Sequence, residues 1–387
     1  MLKKRVKSAI LYFKVTSPKG IPHMKKRHLI ITLIFAILLS CVLTGCINKK
    51  PVEEPTTTTE TTTEAPPPVY YNSLTGKSDI SEKAIGKRPI AIMINNIKAS
   101  LPQYGIYKAD IIYEMLVEGG ITRMMALYGD YTKVPKVCSV RSCRYYFPIF
   151  AHGYDAVYFC FGSNKSLATP TLERIGIDYF DGNEDPDPLV FGRDSERRKK
   201  YSREHTAYVD GKNIPAFLKE NSVTAKSRYG KDFLAFNFRS EDKPKAAGDI
   251  SATEIRLDYS YLYYSTFTYN SKTKTYYKTH CGKPHVDSSN DKQLNFTNIF
   301  VLETDVGNYK GGSLMEINWK KGEGYYISRG KAQKITWTKA SEDSNIKFFT
   351  ESGKELKVNT GKSYIGVIGR NLTTIKGVEA QTTAKQQ

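Results

Sequence analysis

A tract that cannot pack divides the chain. Residues 48–72 read NKKPVEEPTTTTETTTEAPPPVYYN, with seven Thr between Thr56 and Thr63 and five Pro between Pro51 and Pro68. Such a segment has no hydrophobic period and too little apolar mass to offset the entropy of ordering, so it predicts an extended tether. The chain has 387 residues, 40% hydrophobic and 12% aromatic, which leaves room after the tether for two modest domains at roughly 150 residues each. A disulfide-stapled miniprotein and a wholly disordered chain are both excluded.

Ahead of the tether, Lys25, Lys26, Arg27 and His28 precede the apolar run LIITLIFAILL from Leu29 to Leu39, and Leu43-Thr44-Gly45-Cys46 follows. A basic n-region, an apolar h-region and a small-residue cleavage position make a secretory signal. A cysteine at that position looks like the lipobox of bacterial lipoproteins. Residues 1–45 are therefore expected to be a signal peptide with translation starting at Met24. Residues 46–72 then form a lipidated Cys46 and its tether, anchoring the protein in the bilayer at the extracytoplasmic face of the cell membrane. The competing reading is a transmembrane anchor, since no charge falls between Leu29 and Asn48.

Charge sharpens the list of partners. The chain carries 58 Lys+Arg against 39 Asp+Glu, and nine of the basic residues lie in residues 1–28, where there is no acid. Removing them leaves 49 against 39, or +10, a charge drawn to lipid headgroups, teichoic-type polymers or nucleic acid. Nucleic acid is disfavoured, because an exported protein seldom meets it and the aromatics are mostly Tyr in strand patterns.

From residue 73 to 240 the pattern is α/β with a mixed sheet. PIAIMIN (Pro89 to Asn95) reads as a buried strand, and Ile111 to Val117 with Ile121 to Gly129 reads as a hairpin across Glu118-Gly119-Gly120. Arg141 to Phe150 and Ser163 to Ile175 are expected to be helical, residues 181–200 a surface loop, and Ile214 to Glu220 a short helix. From 250 to 375 short strand-like runs succeed one another, which predicts a mostly-β sandwich or barrel-like domain, with 376–387 as a tail. The class is α+β. Cys138, Cys143, Cys160 and Cys281 allow three disulfide pairings or four buried thiols, and the mid-strand place of Cys160 favours thiols.

The strings PIAIMINN, ADIIYEMLVEGGITRMMALY and CSVRSCRYYFPIFAHGYDAVYFCFGSNKS resemble the amino-terminal domain of the YerB-like bacterial lipoproteins, a two-domain family of unknown function. YYKTHCGKPHVD, NIFVLET, GEGYY and ITW are similar to its carboxy-terminal domain. The resemblance covers about Arg88 to Gly369 and implies a two-domain lipoprotein without implying a reaction. Asn95 departs from it, standing where the family carries an acid. Cys138 and Cys143 depart too, standing where members usually have small residues.

The best candidate site is the junction Ser139-Val-Arg141-Ser142-Cys-Arg144. If a helix starts there, Arg141 and Arg144 lie one turn apart beside free N–H donors, a cradle for phosphate or carboxylate. Arg123 and the loop holding Ser163 and Lys165 can converge on it, at the strand edge where open α/β sheets bind ligands. The structural alternative pairs one of the arginines with Asp110, Glu114 or Glu118. Glu118, His205, His285 and Asp287 are further candidates, although a lone histidine is more often a hydrogen-bonded structural residue. The spacing of His280, Cys281 and His285 matches no closed zinc pattern. The Gly162–Ser166 loop is not a P-loop, and no serine sits in GxSxG. No cofactor or metal is expected. The sequence points to a binding lipoprotein for an anionic envelope ligand or a protein partner, and alternatively to an enzyme acting on a phosphate-bearing cell-envelope substrate.

Overall fold

Strand Ile90–Asn95 is buried along its whole length, which its unbroken apolar run requires. It pairs antiparallel with Ile121–Tyr128 and parallel with Val157–Cys160, which in turn pairs parallel with Tyr179–Asp181. The computed structural model describes residues 69–377. The expected signal peptide, the start at Met24, the lipidated Cys46, nearly all of the tether and nearly all of the tail lie outside the described residues. The fold takes in the end of the tether tract: the Asn72 side chain is buried and donates to Asp110, and Leu74 is fully buried.

The hairpin forms as its sequence implies. Ile111–Val117 and Ile121–Tyr128 pair antiparallel across Glu118–Gly120, where Gly119 and Gly120 adopt φ of 74° and 69°. That left-handed backbone is the reason for Gly-Gly.

One sheet spans both halves of the chain. From edge to edge it runs Lys347–Thr350, Lys331–Thr338, Lys321–Ser328, Asn298–Thr304, Ser363–Gly369, Ile111–Val117, Ile121–Tyr128, Ile90–Asn95, Val157–Cys160 and Tyr179–Asp181. The seam is parallel, Ile111 to Met115 against Ser363 to Val367. A second sheet holds Lys283–Pro284, Thr275–His280, Tyr264–Asn270, Glu254–Asp258 and Thr373–Lys376. Its strands alternate buried and less buried positions, so one face lies inward. Ile255, Leu257, Phe267 and Tyr276 share a core with Ile112, Ile299, Val301 and Tyr364 of the large sheet. On the opposite face, helix Tyr146–His152 sets Phe147 and Phe150 against Tyr113 and Met115. The architecture is α+β, with the helices in the first half and strands dominating the second.

Two local expectations fail, and a third is met only in part, the helix expected from Ser163 beginning at Ala168. The helix after the junction starts at Tyr146 instead of Arg141. The backbone of residues 139–143 is spent on sheet-like bonding: Asn95 N donates to the Ser139 carbonyl, Arg141 N to that of Met93 and Cys143 N to that of Gly162. Pro148 agrees with the late start. As the third helical residue it lacks an N–H the helix does not need, whereas a start at Arg141 would put it in the interior. Residues 181–200 are also more than a loop, since they contain strand Phe191–Arg193 and helix Ser195–Arg198, capped by Asp194 accepting from Arg197 N. Cys138, Cys143 and Cys160 are buried free thiols, and Cys281 is a partly exposed one.

Candidate functional site

Three parallel strands end at one edge of the large sheet. Val157–Cys160 runs into Phe161, Gly162 and Ser163, while Tyr179–Asp181 runs into Asn183. Residues 141–143 are spliced between the ends of Ile90–Asn95 and Val157–Cys160, with Phe161 N donating to the Arg141 carbonyl at 3.1 Å. Asp181 ties two of the loops, accepting from Gly162 N at 2.5 Å and Asn183 N at 3.0 Å. Above them opens a polar cleft of about 490 Å³ whose walls include Arg141, Ser142, Ser163, Asn183, Arg193, Arg203 and Glu204. A crevice outside the carboxyl ends of parallel strands is the usual ligand position in open α/β sheets.

The guanidiniums crowd one another. Arg193 lies over the Phe161 ring at 4.6 Å and donates to the Arg203 carbonyl at 2.7 Å, while Arg141 reaches the Glu204 carbonyl at 3.3 Å. Among the described residues, Arg141, Arg193 and Arg203 have no carboxylate within salt-bridge distance. Burial pushes the Arg193 pKa down, and Arg203, Arg141 and Arg198 push it further, with Glu204 opposing. Arg141 is lowered by burial first and then by Arg144, with Glu204 opposing.

The residues expected from sequence divide. Arg141 and Ser163 line the cleft, and the Ser163 hydroxyl also bonds that of Thr169 at 2.7 Å. Arg123 lies beneath, buried, donating to the Ser142 carbonyl at 2.5 Å. Burial, then Arg144 and Arg141, lower its pKa to about 10. Arg144 is capped by Glu118 at 2.5 Å and Lys165 by Glu184 at 2.8 Å, so neither serves the cleft. With residues 141–144 outside the helix, the expected helical face carrying Arg141 and Arg144 does not exist. His205 is buried, with Nδ1 3.0 Å from Asn95 Nδ2, and burial lowers its pKa. His285 and Asp287 lie in the second half of the chain. Asp287 accepts from Gly105 N at 3.1 Å and Tyr107 N at 2.7 Å, which pins a loop of the first half. Arg193 escaped the sequence reading because residues 181–200 read as a surface loop, and Arg203 lies just beyond that segment, yet the density of arginine in FGRDSERRKKYSREH was visible.

A second polar assembly went unforeseen, between the two sheets. Glu114 is fully buried and accepts from Asn96 Nδ2 (2.9 Å), Thr122 Oγ1 (2.8 Å), Ser265 Oγ (3.0 Å) and Tyr364 OH (2.7 Å). Lys278, also fully buried, stands 3.2 Å from Glu114 and 3.1 Å from His285 Nδ1, and His285 Nε2 meets Gln103 Oε1 at 2.9 Å. The only available hint was a carboxylate inside the apolar run IIYEMLV. Among the described residues, no three His, Cys, Asp or Glu side chains are gathered as metal ligands.

Comparison with known proteins is consistent across sequence and structure. Residues 74–224 match the family profile described as "Protein of unknown function (DUF3048) N-terminal domain", and residues 255–365 match its C-terminal domain. YerB of Bacillus subtilis (strain 168), whose name carries a provisional lipoprotein label, is 26% identical over 350 residues, covering 89% of this chain and 96% of that protein. The crystal structure of YerB from Bacillus subtilis superimposes with a TM-score of 0.67 at 24% identity, covering 79% of this chain and 98% of that one. With both halves matched in order, the chain belongs to the two-domain YerB-like family.

Proposed function

We propose that this is a lipid-anchored extracytoplasmic protein that binds a phosphate-bearing envelope ligand in the arginine cleft. The observation that carries the reading is that Arg141, Arg193 and Arg203 face one cleft with no carboxylate within 4.0 Å among the described residues, the Glu204 carboxylate at its wall acting on Arg141 and Arg193 only from farther off. Guanidinium forks match phosphate oxygens bidentately, and a bound anion relieves the repulsion among the three charges. The Asn183 amide, and the Ser163 hydroxyl when it accepts from Thr169, supply neutral donors beside them. Binding is favoured over turnover because the candidate bases and nucleophiles are engaged elsewhere. Ser142 Oγ donates to the Phe161 carbonyl at 3.2 Å, Ser163 bonds Thr169, and His205 is turned to Asn95.

Titration of the full chain in detergent micelles with a short glycerol-phosphate oligomer tests the site. Arg141→Gln and Arg203→Gln should each weaken binding about tenfold or more, as loss of a charge-assisted hydrogen bond costs about 1.5–3 kcal/mol. Stability should stay within about 0.5 kcal/mol, because neither guanidinium belongs to an ion pair. Unchanged affinity in both variants would sink the proposal. The lipoprotein label of YerB and the LTGC sequence support the anchor. Cys46→Ala should release the protein from the membrane fraction, and retention with unchanged mass would favour a transmembrane anchor.

A further inference from the structure

A second cavity, of about 470 Å³, lies away from the arginine cleft, where the loop around Lys98 and Pro102 meets the turn from His280 to Val286. Its size suits one small ligand. Leu101, Pro102 and Pro284 give it apolar walls, Lys98 and Lys283 stand exposed at it, and His280 lines it. His280 is 2% exposed, and its Nε2 has no hydrogen-bond partner among the described residues. A buried polar atom left unpaired costs about 1–3 kcal/mol, so the unpartnered nitrogen of a residue in the cavity wall is a group that a ligand atom can satisfy.

The neighbours of the ring are polar but already engaged. Asn96 Nδ2 stands 3.5 Å from His280 Nδ1, but its two hydrogens are spent on Glu114 Oε1 and Thr122 Oγ1. Glu114 Oε1 stands 4.0 Å from Nδ1, beyond hydrogen-bond range, so both tautomers of the neutral ring are compatible with these neighbours. Nε2 therefore calls for a group that can both donate and accept, such as a hydroxyl. The lysines call for an anion, and the prolines for the C–H face of a ring.

We propose that this cavity binds a small hydroxylated anion of the sugar-phosphate class, a hydroxyl hydrogen-bonded to His280 Nε2 and the phosphate meeting Lys98 and Lys283. Burial and the neighbouring Lys278 keep the imidazole neutral. The site is separate from the arginine cleft and independent of the reading given to it.

Calorimetric titration of the full chain in detergent micelles with glucose 1-phosphate tests this. Binding should survive in a chain carrying R141Q and R203Q, fall at least about tenfold in His280→Phe, and fall severalfold in Lys283→Gln. Glucose alone and inorganic phosphate alone should each bind at least about tenfold more weakly than the sugar phosphate. Should His280→Phe fail to fold, exposed Lys283 decides the matter, since its replacement disturbs no packing. Absence of binding overturns the proposal. So does binding that R141Q and R203Q abolish while His280→Phe or Lys283→Gln leave it unchanged, a result that would assign the sugar phosphate to the arginine cleft.

Discussion

Glu114 sits in the middle of an apolar strand, and it is tolerated because four donors and Lys278 surround it. Removing one member of such a pair strands the other charge in a dry interior. His280, at the edge of this assembly, makes it sensitive to acid. Burial first, then Lys278, depress its pKa from 6.5 to about 4, with Glu114 opposing. Between these values the unfolded chain takes up a proton that the folded chain refuses. The resulting stability is complete above about pH 6.5 and is lost as pH falls towards 4, on the order of 3 kcal/mol. Thermal melting at pH 7, 5 and 4 should show that decline, and His280→Gln should reduce it by that amount, the depressed His152 and His285 keeping their own share. An identical slope in the variant would refute the assignment. At this scale the sequence displayed Glu114 as an anomaly but hid its partners, because Lys278 and Tyr364 arrive from strands far along the chain. Arg141 was legible from its place at the end of a buried strand, whereas the carboxylates capping Arg144 and Lys165 depend on packing that no local pattern reports.

Elements with a strong local signal were read well. The Ile111–Val117 and Ile121–Tyr128 hairpin follows from two β-rich runs around Gly-Gly, and the helix Ile214–Glu220 was placed to the residue. The junction at Arg141 was misread because its residues are acceptable in a helix. Hydrogen bonding to the ends of two neighbouring strands overrode that local tolerance. The turn offers a clean test of backbone strain, since a Cβ placed on Gly119 meets nothing within 4 Å. Any penalty for Gly119→Ala therefore comes from its φ of 74°. Stability should fall by about 1–2 kcal/mol in denaturant melts with no change in the m-value. A neutral result would show that the turn relaxes freely.

The two sequence domains meet inside one sheet, and this decides how the molecule behaves as a whole. Ile111–Val117 lies between Ser363–Gly369 and Ile121–Tyr128, and Phe236, near the end of the first half, packs at 5.3 Å from Phe300 and 5.6 Å from Phe348. A fragment of residues 69–240 lacks those partners. It should show no cooperative melt alone and should gain one when mixed with residues 241–377, as circular dichroism can check. A sharp transition in the isolated fragment would establish that the first half folds independently. The seam was hidden from sequence because a parallel pairing between distant strands leaves no turn signal to announce it. It also imposes an order in time. A chain synthesised from its amino terminus presents the edge of Ile111–Val117 long before Ser363–Gly369 exists, and an open edge invites pairing with other chains. Completion of the central sheet waits for nearly the last described residues, so a prematurely ended chain keeps an unsealed edge that a protease can recognise, and full length becomes a condition of survival.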